Sequence, residues 1–226
     1  MIIHGEAEKE LQKIESFSID CIITDPPYGL NQGAWDKSLF NYPAIIPEYF
    51  RVLKETGSLF LFCGWSNLQE LLNFETDFKL NDLICYDRIK GRGGKKRLTS
   101  TREEILWFVK SDKWTFNKEL AYSTIVKKTG GLGLKNGKKY RSLSNVWTDI
   151  SPIVPWSKDR YKHPTQKPLK LMERIVTVFT NENDLILDTY AGTGTTGVAC
   201  KNLNRNYILI EKEKEYIDII KDRLFS

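Results

Sequence analysis

The run Ile19 to Gly29, IDCIITDPPYG, limits the fold more than any other part of this 226-residue chain. Ile19, Cys21, Ile22, Ile23 and Thr24 follow one another without regular polar alternation, the pattern of a strand buried on both faces of a parallel sheet. Asp25-Pro26-Pro27-Tyr28 then stops the strand, because two prolines remove two ladder donors and hold the backbone extended. A carboxylate, two stiff carbonyls and an aromatic ring are thereby delivered to the carboxyl edge of the sheet, where open α/β folds bind their ligands.

The flanking sequence repeats the strand-helix alternation of a parallel α/β sheet. Met1 to His4, a turn at Gly5-Glu6, and a helix with Ala7, Leu11 and Ile14 on one face precede the Ile19 strand. A polar loop from Gly29 to Lys37 follows it. Tyr42, Ile45, Ile46, Tyr49, Phe50 and Leu53 have helical spacing, Ser58 to Cys63 reads as a second continuous apolar strand, and Asn67 to Phe74 as a further helix. Leu83 to Ile89 and Ile105 to Val109 read as an antiparallel edge pair joined by a basic glycine loop, Gly91 to Arg97. From Asp112 to about Arg160 the periodicity is lost and aromatics (Trp114, Phe116, Tyr122, Tyr140, Trp147, Trp156) are interleaved with basic residues. A structureless insertion of that length is expected to be functional.

Charge singles out the same region. From Arg88 to Arg141 there are 16 basic residues against 4 acidic ones, a net of +12 that leaves −7 on the rest of a chain whose total is +5. Rings that stack on bases and cations that pair with phosphates are what a nucleic-acid surface needs. Arg92, Lys95, Lys96, Arg97, Lys127, Lys128, Lys138, Lys139 and Arg141 are the candidate contacts. No apolar run approaches 18 residues and no basic-then-apolar leader opens the chain, so a cytoplasmic protein with no membrane partner is expected. Cys21, Cys63, Cys85 and Cys200 form no C-x-x-C pair and only two histidines are present, so buried reduced thiols and no metal site are expected.

Order returns at His163-Pro164-Thr165-Gln166-Lys167-Pro168, followed by a helix with Leu169, Leu171, Met172, Ile175, Val176 and Phe179 on its apolar face. Leu185 to Asp188 is the next strand, Gly192, Gly194 and Gly197 match G-x-G-x-x-G, and the strand after it ends in Glu211. Strand, glycine turn, helix and an acid at the end of the next strand form a nucleotide half-site in which the acid accepts ribose hydroxyls. Gly194 is the expected point of closest backbone approach to the ligand. A dinucleotide dehydrogenase fails on position, since about 30 residues after Gly197 cannot supply the remaining strand-helix units. The missing strands must come from the N-terminal half, including the one that ends in Asp25.

Taken together, D-P-P-Y, H-P-T-Q-K-P and D-x-x-x-G-x-G-T-T resemble the DNA amino-methyltransferases that use S-adenosyl-L-methionine, in the beta arrangement. That resemblance covers nearly the whole chain. Tyr190 stands where that family often has Phe, and Glu6 where Asp is usual. It implies a Rossmann-like α/β methyltransferase fold: a mostly parallel seven-stranded sheet with helices on both faces and a circularly permuted motif order. Residues 1–111 and 161–226 would form the catalytic and cofactor-binding domain, and 112–160 a target-recognition insertion. Asp25, Pro26, Pro27 and Tyr28 would be catalytic. Gly5, Glu6, Asp25, Thr165, Gln166, Lys167, Asp188, Tyr190, Ala191, Gly192, Thr193, Gly194, Thr195, Thr196 and Glu211 would hold the cofactor, with Lys167 on its methionine carboxylate. His163 reads as a structural hydrogen bond at a turn.

The expected reaction is methyl transfer to N6 of an adenine flipped out of double-stranded DNA, with Asp25 and the Pro26 carbonyl accepting the amine hydrogens and Tyr28 stacking on the base. Asp as the first tetrad residue favours adenine over N4 of cytosine. An RNA or protein methyltransferase and a catalytically silent nucleic-acid-binding module stay open as alternatives. A cognate restriction endonuclease and a homodimer are open as partners.

Overall fold

The computed structural model describes residues 1–28, 40–92, 96, 98–124, 140–154, 156–157 and 159–225. The Gly29 to Lys37 loop therefore lies outside the described residues, as do Lys95, Arg97, Lys127, Lys128, Lys138 and Lys139. In chain order the elements are β1 (Ile2–His4), α1 (Ala7–Leu11), β2 (Ile19–Thr24), α2 (Tyr42–Val52), β3 (Leu53–Cys63), α3 (Trp65–Asn73), β4 (Lys79–Arg92) and β5 (Ser100–Val109). They continue as β6 (Tyr122–Thr124), β7 (Tyr140–Ser142), β8 (Val146–Trp147), α4 (Leu169–Phe179), β9 (Leu185–Asp188), α5 (Thr195–Asn202), β10 (Asn206–Glu211) and α6 (Lys214–Phe225).

The main sheet runs β1-β10-β9-β2-β3-β5-β4-β8. The two strands from the far end of the chain thus sit between β1 and β2, so the N- and C-terminal segments build one sheet. Every neighbouring pair is parallel except those made by β5, which is antiparallel to β3 and β4. The expected α/β sheet is present with one strand more than seven, because Val146–Trp147 adds beside β4.

The unalternating apolar run of β2 is explained by its central position. Ile22 packs in a core layer with Leu11, Ile45, Tyr49 and Leu68 from α1, α2 and α3. Cys21 and Ile23 point to the other face, against Leu171, Ile175, Ala199 and Cys200 from α4 and α5. All three are fully buried, and for an isoleucine that burial contributes about 1.5–3 kcal/mol. The four cysteines are free thiols, three of them buried. Desolvation raises the Cys21 thiol well above its ordinary pKa and pushes Cys200 up to about 12.

The stretch after Asp112 differs from the structureless insertion expected of it. Trp147 is 1% exposed and lies with Ala121 and Ile150 in the layer under α4, with the Arg174 guanidinium 5.2 Å from its ring centroid. Arg174 also makes two hydrogen bonds to Asp149, at 2.8 and 2.7 Å. Trp114 and Phe116 pack on Trp107 at centroid distances of 6.0 and 6.4 Å. Among the described residues of this segment, lack of period goes with single rings that anchor on the core and with one short strand, β8, that joins the sheet. Of its aromatics among the described residues, Phe116, Tyr122 and Trp156 stay exposed, at 43%, 50% and 80%. Among the described residues no helix is long and apolar enough to cross a membrane, and no group of three His, Cys, Asp or Glu side chains could hold a metal.

Candidate active site

β2 and β9 run side by side and end at the same edge, which brings the tetrad and the glycine turn together. The Thr24 and Thr189 hydroxyls, 3.1 Å apart, tie the two strand ends, and the buried Tyr49 hydroxyl bonds to Thr189 as well. Beyond Thr24 the backbone from Asp25 to Tyr28 leaves the ladder, as its prolines require. The Tyr28 hydroxyl donates to Asp25 Oδ1 at 2.5 Å. Burial first, then the neighbouring Asp25 charge, raises the Tyr28 pKa well above its ordinary value, so the phenol keeps its proton. A Cβ at Gly64 would come within 3.4 Å of the Tyr28 ring, so the turn after β3 lies directly against it.

The pairing of Lys167 with the tetrad is new to the structure. The Lys167 ammonium bonds to Asp25 Oδ2 and lies 3.2 Å from Glu103 Oε1, with the Phe62 ring centroid at 5.2 Å. The Lys167 side chain is 8% exposed, as is that of Glu103. Burial opposes its charge, but the two carboxylates more than offset that and the Lys167 pKa is raised. Expected on a methionine carboxylate, Lys167 lines the larger cavity and its ammonium also pairs with the tetrad carboxylate.

The glycine turn is built around two acids. Asp188, at the end of β9, accepts the Tyr190 N–H at 3.1 Å and the Thr196 hydroxyl at 2.6 Å. Burial outweighs these bonds and lifts its pKa to about 7. Glu211, at the end of β10, accepts the N–H groups of Gly192 and Glu213, both at 2.8 Å, while the Gly5 N–H donates to its carbonyl at 3.0 Å. Burial raises Glu211 too. Each oxygen of such a carboxylate keeps acceptor capacity beyond one backbone bond.

A cavity of about 390 Å³ lies between these groups. Gly5, Glu6, Asp25, Thr165, Gln166, Lys167, Asp188, Tyr190, Ala191, Gly192, Thr193, Thr195, Thr196 and Glu211 all line it, so every candidate cofactor residue but Gly194 reaches one space. Gly194 is a correction. Its φ is +76° and an added Cβ would lie 2.9 Å from Ile220 Cγ1, so it serves the turn and the packing of α6. At Gly192, with φ +52°, an added Cβ would instead lie 3.3 Å from His163 Nε2. The Gln166 side chain is engaged with its own loop, accepting from the Tyr161 N–H at 2.9 Å and donating to the Asp159 carbonyl at 2.6 Å. His163 Nδ1 accepts the Thr165 N–H at 3.2 Å, a turn bond as expected, and burial lowers its pKa to about 4, so the ring is neutral at pH 7.

A second cavity, about 310 Å³, opens on the other side of the tetrad and is walled by Pro26, Tyr28, Phe40, Tyr42, Phe62 and Cys63, with Asn67 and Glu70 at its polar end. Pro27 and Asn41 line both cavities. Of the candidate nucleic-acid contacts, Lys96 and Arg141 are exposed, Arg141 also donating to the Ser123 hydroxyl at 3.3 Å, and Arg92 ends β4. Sequence reasoning missed Glu103, which sits in a run of charged residues that reads as solvated surface. It also missed Asn41 and Tyr216, whose neighbours in sequence carry no motif.

Comparison with known proteins places this arrangement. The model of the DNA methylase family matches residues 19–222. The chain belongs to that family. M.HpaI of Haemophilus parainfluenzae, a Type II methyltransferase, is 35% identical over 243 residues, which cover 100% of this chain and 74% of that protein. YhdJ of Escherichia coli (strain K12), a DNA adenine methyltransferase, is 35% identical over 245 residues, covering 99% of this chain and 82% of that protein. The crystal structure of M1.HpyAVI in complex with SAM superposes with a TM-score of 0.71 at 32% identity, covering 100% of this chain and 99% of that one. This DNA methylase therefore has the methyltransferase α/β fold, with its tetrad and its glycine turn on one edge.

Proposed function

We propose that this DNA methylase transfers a methyl group from S-adenosyl-L-methionine to N6 of an adenine extruded from double-stranded DNA. The observation that carries the reading is the shared wall of two cavities: Pro27 and Asn41 line both, Asp25 the one at the glycine turn and Tyr28 the other. The larger cavity fits the cofactor. Its size is that of a ligand pocket, Glu211 offers acceptors to a ribose, and Asp188 to Thr196 wrap the remainder. Gly5 and Glu6 close the adenine end. The cofactor when bound supplies an electrophilic sulfonium methyl.

The chain's own residues do the rest. An exocyclic amine conjugated to a base ring is a poor nucleophile, so its hydrogens must be held while its lone pair is turned toward the methyl. Asp25 and the Pro26 carbonyl are the acceptors, fixed by the stiff prolines. Tyr28 stacks on the base. The N–C bond forms as the C–S bond breaks, and the surplus amine proton leaves to solvent. Because the amine is out of reach inside a duplex, extrusion costs roughly a few kcal/mol, offset by stacking and phosphate contacts.

The test is incubation with labelled cofactor and genomic DNA, followed by nucleoside analysis. Label in N6-methyladenine is expected, and label in N4-methylcytosine alone overturns the base assignment. The division into a catalytic part, residues 1–111 and 161–226, and a recognition part, 112–160, is supported by the basic and exposed residues of the second. Exchanging residues 122–142 with a relative's counterpart keeps the partly buried Trp114 and the buried Trp147 as anchors, and is expected to transfer the recognised sequence without changing the methylated atom. A chimera that keeps the original preference places recognition elsewhere.

Arg92, Lys95, Lys96, Arg97, Lys127, Lys128, Lys138, Lys139 and Arg141 are taken to contact phosphates. Replacing the four between 92 and 97 is expected to weaken binding to all sequences alike and to flatten the plot of log affinity against log salt by about 0.9 for each phosphate no longer neutralised. An unchanged slope returns them to plain surface. The name Type II methyltransferase borne by M.HpaI supports a cognate restriction endonuclease as partner, and DNA as substrate supports a cytoplasmic location.

A further inference from the structure

We infer that Glu103 is a positioning residue for methyl transfer: from β5 it holds Lys167 against Asp25 and so keeps the tetrad carboxylate in place on the wall of the larger cavity. The inference rests on the reading just given. Glu103 belongs neither to the tetrad nor to the glycine turn, and it lines neither cavity. It is 7% exposed at the start of β5, opposite Tyr86 of β4, and it forms an ion pair with Lys167.

A buried glutamate at a strand end needs a reason, since desolvating a carboxylate is costly unless it is paired. The pairing found here is more than one partner for one charge. Asp25, Glu103 and Lys167 place two negative charges and one positive charge in a largely buried space, a net of −1. With Asp25 alone, the ammonium would form a neutral pair and draw the Asp25 electrons to itself. With Glu103 on its far side, the ammonium divides its donors, so Asp25 stays a strong acceptor for an amine hydrogen. Positive charge develops on that amine as the N–C bond forms, and a preorganised negative site stabilises it most where water is excluded. Glu103 also fixes geometry. Lys167 has a flexible stem, and a second anchor across from Asp25 removes its freedom to swing away.

A purely structural Glu103 would affect folding and all kinetic constants together. The positioning role instead predicts a split. Glu103→Gln should lower kcat about 10- to 100-fold, the worth of one hydrogen bond to a charged group. KM for cofactor and for DNA should stay within about twofold, since Glu103 touches neither ligand. Glu103→Asp, which keeps the charge at shorter reach, should recover most of the rate. In a Lys167→Met background, either Glu103 substitution should cost nothing further, because the residue acts through the lysine.

Wild-type kcat in Glu103→Gln overturns the inference, as do equal losses in Gln and Asp variants or additive losses with Lys167→Met. Should Glu103→Gln not fold, the same cycle is read from Glu103→Asp. Wild-type protein that transfers no methyl to DNA overturns the proposed function itself. Normal wild-type transfer with an unaffected Glu103→Gln overturns only the positioning role.

Discussion

Asp25→Ala is expected to lower kcat by about 10²–10³-fold, the scale found when one preorganised polar group is removed from a reacting centre, while cofactor affinity stays within a few-fold. The carboxylate lines the larger cavity next to Pro27, which lines both cavities, so it can hold an amine there but contributes only one of many side chains around that space. The fold should survive the change. Lys167 keeps Glu103 as a partner at 3.2 Å, so no buried cation is left alone, and only the Tyr28 hydroxyl loses its acceptor. A second effect follows from charge. Asp25 is among the groups that raise Asp188, whose burial already lifts it to about 7, so the Asp188 pKa should fall in the variant. Single-turnover transfer with saturating DNA and calorimetry with the cofactor separate the two consequences. Near-normal turnover would mean that Asp25 does not hold the amine. A loss of cofactor affinity as large as the loss of rate would place it in the wrong role.

The parts of the site that a reader of the sequence could find are those where local backbone chemistry determines the outcome. Two prolines end β2 wherever it sits, and two glycines, Gly192 and Gly194, between an apolar strand and a helix make a turn in any surroundings. Because both events fall at carboxyl ends of strands in one sheet, their residues converge on one cavity without any further information. The pairing of Lys167 with Asp25 is of another kind. It depends on which loop crosses which strand end, and the H-P-T-Q-K-P run gives no sign of it. Glu103 is hidden for a related reason: Thr101-Arg102-Glu103-Glu104 has the composition of solvated surface. It becomes buried only because β5 inserts between β3 and β4. The aromatics after Asp112 mislead in the opposite sense. Rings that anchor a segment to a core and rings that await a base have the same periodicity, which is none, and only burial separates Trp147 from Trp156.

Gly194 shows how much the direction of a missing side chain decides. The sequence pattern places ligand beside this glycine, so that a larger residue would exclude the cofactor. In the fold its Cβ would point at α6, 2.9 Å from Ile220 Cγ1 and 3.2 Å from Cγ2, with φ at +76°. Ile220 is fully buried and cannot swing aside into solvent. Gly194→Val therefore meets two costs at once. A β-branched residue in the left-handed region is strained, and the added methyls overpack α6; together they are expected to remove about 2–6 kcal/mol of stability. The loss should be visible in urea melts without any cofactor, since the clash is with protein. Gly192→Ala is the informative contrast. Its φ of +52° carries a similar strain, but its Cβ faces the cavity wall at His163, so cofactor affinity should suffer more than in Gly194→Ala at equal stability. Gly194→Asn separates strain from crowding, because Asn tolerates the left-handed region better than Ala does. If strain dominates, Asn is the milder change despite its size, and if crowding against Ile220 dominates, Asn is no better than Ala. A Gly194→Val protein that melts like the wild type and merely fails to bind cofactor would restore the first reading, with the ligand and not α6 as the neighbour of this glycine.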